Sequence, residues 1–230
     1  MIVLLVAFLA LCLAAVYVFY PWLHTRLTRT RRLIQWFSNP GNYPDWTVQA
    51  GSVCGEAPFM IPTDGYIGFV WGDSFRPGHR HQGIDIFAGL PAGKAPVVAA
   101  YAGYLTRLPD WKSSLIIRIP EDPLQPGRQI WTYYTHMADD QGNSNILPEF
   151  PAGTTEKYVA SGTLLGYQGN YSGDPFNPVG VHLHFSIVLD RDGRFLNELD
   201  IRNTLDPSRY LGLNLNADSL TDDILVCQEQ

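Results

Sequence analysis

The sequence predicts a mainly β protein, an antiparallel sheet arranged as a barrel or a sandwich, preceded by an N-terminal transmembrane helix. Three observations carry this. The 21 glycines and 17 prolines make up about one residue in six, against about 12% in ordinary domains, which favours turns and short strands over a helical bundle. Short runs of β-branched and aromatic residues lie between those breakers. The first 20 residues carry no charged side chain. A chain of 230 residues can bury one sizeable core. With 46% hydrophobic and 17% charged residues it is not a largely disordered protein.

The N-terminal run MIVLLVAFLALCLAAVYVFY has the length a helix needs to cross a bilayer core. A cleavable signal carries a basic first region and a small-x-small cleavage site. Neither is found here, so residues 1–21 read as an uncleaved anchor; a buried core helix is the alternative. Residues 22–37 mix Leu33, Ile34, Trp36 and Phe37 with Arg26, Arg29, Arg31 and Arg32. That mixture suits a helix continuing out of the membrane or lying at its surface. Ser38-Asn39-Pro40-Gly41-Asn42 ends it. A basic juxtamembrane segment and linker then spans 22–57, a folded body 58–212, and a polar tail 213–230.

The net charge of -6 is unevenly placed. Without the four arginines of the flank, 12 basic side chains face 22 acidic ones. An acidic body argues against nucleic acid as a partner. The flanking arginines, by the positive-inside rule, would hold the body in the cytoplasm.

Within the body, strands are expected at Tyr66–Trp71, Val97–Leu105, Ser114–Ile119, Gln129–His136 and His182–Leu189. No body segment of 12 residues or more keeps a 3.6-residue period. Cys54 and Cys227 flank the body. They would either bridge, tying the tail to the entry strand in an oxidising compartment, or stay as two thiols.

Five of the six histidines fall in three short clusters, at 79 and 81, at 136, and at 182 and 184. On a strand His182 and His184 share one face, while Leu183 and Phe185 point into the core. His81 and Asp85 are four apart, about 13 Å on a straight strand. Gly83 between them permits the bend that would bring them together. Two imidazoles and a carboxylate suit a catalytic zinc site, which uses three protein ligands and leaves one position for water. An exposed pair of polar strand residues is the plainer reading of His182 and His184 taken alone.

These motifs resemble those of the lysostaphin-type (LytM-like) zinc endopeptidases, which cut peptide bonds in bacterial peptidoglycan. His81-Gln82-Gly83-Ile84-Asp85 matches the family's HxGxD motif, His182-Leu183-His184-Phe185 its HLHF motif, and Tyr134-Thr135-His136 its intervening Tyr-x-His. The resemblance covers roughly residues 60–212. It implies a barrel–sandwich hybrid with an open groove, Zn2+ held by His81, Asp85 and His184, and catalytic assistance from His136 and His182. His79 lies outside the motif and reads as a structural or groove residue. The stretch Asn170–Val179 is longer than the family's usual Gly-rich approach to HLHF and would reshape one groove wall. The implied substrate is a peptidoglycan peptide. The implied location is the cell envelope, anchored in the cytoplasmic membrane with the catalytic domain outside, against the positive-inside expectation. A non-catalytic wall-binding or hydrolase-regulating module of the same fold is the alternative function.

Overall fold

The computed structural model describes residues 2–74, 78–213 and 224–227; at 2–7, 9–10, 18 and 21–27 it describes the backbone alone. One helix, α1 (Ile2–Ser38), opens the chain. Ser38 is its last residue, and the Pro-Gly-Asn run beyond it forms a 3-10 turn, Pro40–Asn42. Among the described residues no helix is long and apolar enough to cross a membrane. The transmembrane helix expected at residues 1–21 is thus present as a helix but unsupported as a span. Most of the side chains that would decide it lie outside the described residues.

Eleven strands follow among the described residues: β1 (Tyr66–Phe69), β2 (Ile84–Phe87), β3 (Pro96–Val98), β4 (Gly103–Thr106), β5 (Leu115–Ile119), β6 (Ile130–Thr135), β7 (Lys157–Val159), β8 (Leu164–Tyr167), β9 (Leu183–Arg191), β10 (Arg194–Phe195) and β11 (Thr204–Leu205). Nine form one antiparallel sheet in the order β1-β2-β9-β6-β5-β4-β7, with β10 and β11 also pairing with β9. β3 and β8 form a separate pair.

No closed barrel results, which corrects that part of the expected architecture. The edge strands β1 and β7 do not meet; α1 covers β1 instead. The expected strand Val97–Leu105 is a second correction, because it divides into β3 and β4. Between them the Ala99 N–H donates to the Thr163 carbonyl. The Ala100 N–H donates to the Tyr134 hydroxyl at 2.8 Å. These bonds turn the chain from the small sheet to the large one.

β9 pairs with β2, β6, β10 and β11; its first half, Leu183-His184-Phe185-Ser186, alternates apolar and polar side chains, so one face packs on the core and the other meets the groove. Leu183, Phe185 and Ile187 join the main core with Ile84, Ile86, Ile117 and Tyr134. Val188 lies on the other face with Ile116 and Trp131. Cys54 and Cys227 are bridged, resolving the open pairing and drawing Ile224 and Leu225 onto the body. Residues 43–57 also lie against the body: Val48 pairs with Gly65, and Cys54 is buried.

A smaller cluster docks the end of α1 onto the sheet edge. Leu33, Trp36, Tyr66 and Phe87 form it. Trp36 is 1% exposed and stacks on Tyr66 at 5.4 Å. Two glycines make the room. A Cβ on Gly68 would come within 2.8 Å of Leu33, and one on Gly89 within 3.1 Å of the Trp36 ring. Gly68 also sits where the β1–β2 register shifts, a bulge that re-aims Phe69.

Trp36→Ala should therefore destabilise the full chain by about 3–5 kcal/mol in denaturant titration. Ile34→Ala, on the exposed face of the same helix, should change stability by less than about 0.5 kcal/mol.

Candidate active site

Strand register assembles the centre. Asp85 in β2 stands opposite His184 in β9, and Thr135 in β6 stands opposite His184 on the other side. Directly opposed residues have Cβ atoms about 4.5–5.5 Å apart, close enough for carboxylate and imidazole to touch. The two-residue period turns His184 and Ser186 toward the groove and leaves Leu183, Phe185 and Ile187 fully buried. His81 arrives from the segment before β2, its N–H donating to the Asp73 carbonyl at 2.7 Å. The chain then bends at Gly83. A Cβ there would stand 2.2 Å from the Phe185 carbonyl oxygen, so only glycine permits this approach to β9.

His81 Nε2, His184 Nδ1 and Asp85 Oδ1 face one another at 2.8–3.1 Å. All three residues are buried. His81 Nδ1 lies 3.1 Å from the Val70 carbonyl. A carbonyl only accepts, so Nδ1 holds the hydrogen and Nε2 offers its lone pair. His184 is turned the other way. Its Nε2 meets Ser186 Oγ at 2.8 Å and lies 3.6 Å from Glu198 Oε2, leaving Nδ1 for the cluster.

Three converging acceptor atoms require a proton or a cation between them. Bonds of about 2.0–2.1 Å in a tetrahedral zinc site separate the donor atoms by about 3.3 Å. The observed triangle is a few tenths of an ångström tighter, and its two-imidazole, one-carboxylate chemistry is that of catalytic zinc sites. The residues present fit the ion.

Electrostatics agree. Burial raises the Asp85 carboxyl, but electrostatic attraction to His81 and His182 and the hydrogen bond from His184 outweigh it and hold the group well below its usual range. Burial likewise opposes charge on His184. Hydrogen bonds to Asp85 and Glu198, and the charges of both carboxylates, nevertheless push it up to about 10. His184 thus holds a proton that a metal ion would displace.

His136 and His182 stand beside this cluster, their rings 4.5 Å apart. Each Nδ1 donates to a backbone carbonyl: His182 to Gly180 at 2.6 Å, His136 to Tyr171 at 2.8 Å. Each Nε2 is therefore a bare acceptor. His182 Nε2 lies 3.6 Å from Asp85 Oδ1. Burial lowers His182 despite the attraction of Asp85. Burial, and then the charge of His182, lower His136 to about 3. His136 also has a φ of 67°, rare outside glycine. The Met137 N–H, bonded to the Ser113 carbonyl at 2.9 Å, holds the turn that follows.

These side chains floor a groove of about 850 Å³. One wall is apolar, with Leu33, Phe37, Phe69 and Phe87; the other carries the hydroxyls of Ser113, Ser114, Tyr133 and Thr135. Phe87 stacks on His182 at 4.8 Å. Ser114 Oγ lies 2.6 Å from Thr135 Oγ1 and 3.2 Å from the Tyr133 hydroxyl. Tyr171, Ser172, Gly173, Val179 and Gly180, from the long approach to HLHF, also line the groove.

All five expected site residues, His81, Asp85, His136, His182 and His184, meet in this one groove. His79 lines it outside the donor cluster. Sequence reasoning missed Glu198, a single acid in a turn-rich run with no motif around it. It missed the orienting carbonyls of Val70, Tyr171 and Gly180, because backbone groups leave no residue signature. It also missed the wall contributed by α1.

The chain matches no family model and no curated protein. Among solved structures it is similar to lysostaphin, the antimicrobial peptidase from Staphylococcus simulans, with 19% identity and a TM-score of 0.41 over 64% of this chain and 48% of that one. It is similar to a protein from Pseudomonas aeruginosa assigned to peptidase M23, with 20% identity and a TM-score of 0.40 over 71% and 54% of the two chains. For the SpoIIIAH and SpoIIQ complex the values are 15%, 0.37, 64% and 98%. The chain spans about half the length of the first two.

An NMR titration of the full chain should find the His136 ring neutral throughout the range from pH 7 to 5, with its midpoint at about 3. A midpoint at the ordinary value of about 6.5 would mean that burial does not control this ring.

Proposed function

We propose that this protein is a membrane-anchored zinc metalloendopeptidase that hydrolyses peptide bonds in bacterial peptidoglycan. One observation carries the reading: three buried acceptor atoms converge on the floor of an open groove, with two bare-nitrogen histidines beside them. The HxGxD and HLHF motifs at those same positions support the substrate class.

His81, Asp85 and His184 would hold the zinc ion. When bound, zinc polarises a scissile carbonyl and acidifies a water molecule. His182 Nε2 is placed to accept a proton from that water and to return one to the leaving amine. His136 suits a water-orienting role. Its Nδ1–H is committed to Tyr171 and its Nε2 stays unprotonated, so it lacks a donor for an oxyanion. The hydroxyls of Ser114, Tyr133 and Thr135 offer donors to peptide carbonyls along the other wall.

The uncharged first 20 residues support attachment to the cytoplasmic membrane, with the groove on the outer side where peptidoglycan lies. A periplasm-only reporter fused after Gln230 should be active. An inactive reporter places the body in the cytoplasm and ends the envelope assignment.

Purified full chain should bind one zinc ion and release peptides from isolated sacculi, and a chelator should abolish the release. His81→Ala should lose both zinc and cleavage. Glu198→Gln should weaken zinc affinity about 10–100-fold by loosening His184. Unchanged cleavage by His81→Ala would end the metallopeptidase reading. Zinc binding with no peptide release would leave a wall-binding module.

A further inference from the structure

The C-terminal turns of α1 are part of the groove, and nothing in the HxGxD or HLHF motifs requires them. Leu33 and Phe37 are four apart and share one helix face. Both line the groove that contains the histidines. Their placement is built into the sheet. Leu33 fills the space left by Gly68 at the β1 bulge, and Trp36 seals the helix onto Tyr66 and Gly89.

Phe37 differs from its neighbours. Its ring meets Phe87 edge-on at 4.9 Å, yet 46% of the residue stays exposed at the groove. Phe87 in turn stacks on His182. The apolar surface is therefore continuous from the helix to an imidazole beside the donor cluster. Across the groove stand hydroxyls, which suit a peptide backbone rather than an aliphatic side chain. A peptide lying across the floor would place its main-chain groups toward Ser114 and Tyr133 and an alkyl side chain toward the helix.

We propose that Leu33 and Phe37 form a substrate subsite that receives an aliphatic side chain of the peptide next to the scissile bond. The helix is thereby a specificity element as well as an attachment. This inference rests on the peptidase reading above, and the test separates the two.

The measurement is calorimetric binding of a purified cross-linked stem peptide to the full chain in detergent, treated with chelator so that no turnover occurs. Phe37→Ala should weaken binding about tenfold, the loss expected for uncovering roughly 50 Å² of apolar surface. Phe37→Leu should recover most of the affinity. Ile34→Ala, on the exposed face of the same helix, should stay within about twofold of wild type. In zinc-loaded protein the Phe37→Ala defect should appear in KM, with kcat within about twofold of wild type. Equal affinity of Phe37→Ala and wild type, no binding by wild type, or a defect confined to kcat overturns the subsite. If Phe37→Ala binds about tenfold more weakly than wild type yet neither cleaves, the peptidase reading fails and with it the placement next to a scissile bond, while the contact of Phe37 with the bound peptide stands.

Discussion

Asp85 and His184 face each other across β2 and β9, with His81 meeting them from the bend at Gly83. Three acceptor atoms at such separations repel one another unless a positive charge lies among them. The surrounding structure must hold them against that repulsion. It does so with deeply buried strand residues, since those adjoining Asp85 and His184, namely Ile84, Ile86, Leu183 and Phe185, are fully excluded from solvent. A rigid apolar floor lets the polar face above it be preorganised. The remaining nitrogens of His81 and His184 are held by Val70 on one side and by Ser186 and Glu198 on the other.

The same burial divides three histidines of the centre, His136, His182 and His184, into two electrostatic kinds. His136 and His182 lie within reach of backbone carbonyls, whose partial charges do not offset the loss of solvent, and both are pushed toward neutrality. His184 lies between two carboxylates and is pushed the other way. Neighbouring groups with opposed protonation preferences are a usual property of acid–base sites. Here the difference follows from which partner each second nitrogen meets.

Much of this centre was legible in the sequence because it lies in short motifs with strand periodicity. His182 and His184 on one face, with Leu183 and Phe185 beneath, follow from the two-residue period alone. Gly83 between His81 and Asp85 signalled a close backbone approach, and the Phe185 carbonyl is what it approaches. The failures have a common physical origin. The division of Val97–Leu105 depends on the Tyr134 hydroxyl, 34 residues away in sequence. The sheet stays open because α1, not β7, covers its edge. Glu198 and the α1 wall enter through tertiary packing, and neither local composition nor spacing records a contact of that kind.

The unbroken run of α1 from Ile2 to Ser38 carries a mechanical consequence. Phe37 lies 17 residues beyond Tyr20, about 25 Å along the axis at 1.5 Å per residue. Pro21, which has no N–H to donate, lies between them and marks the turn at which such a stalk bends; beyond it the helix carries the groove as a stalk carries a blade. Adding one residue to that stalk would raise the groove by about 1.5 Å and swing it by about 100°. The distance of the groove from the base of the helix is thus ruled by helix pitch.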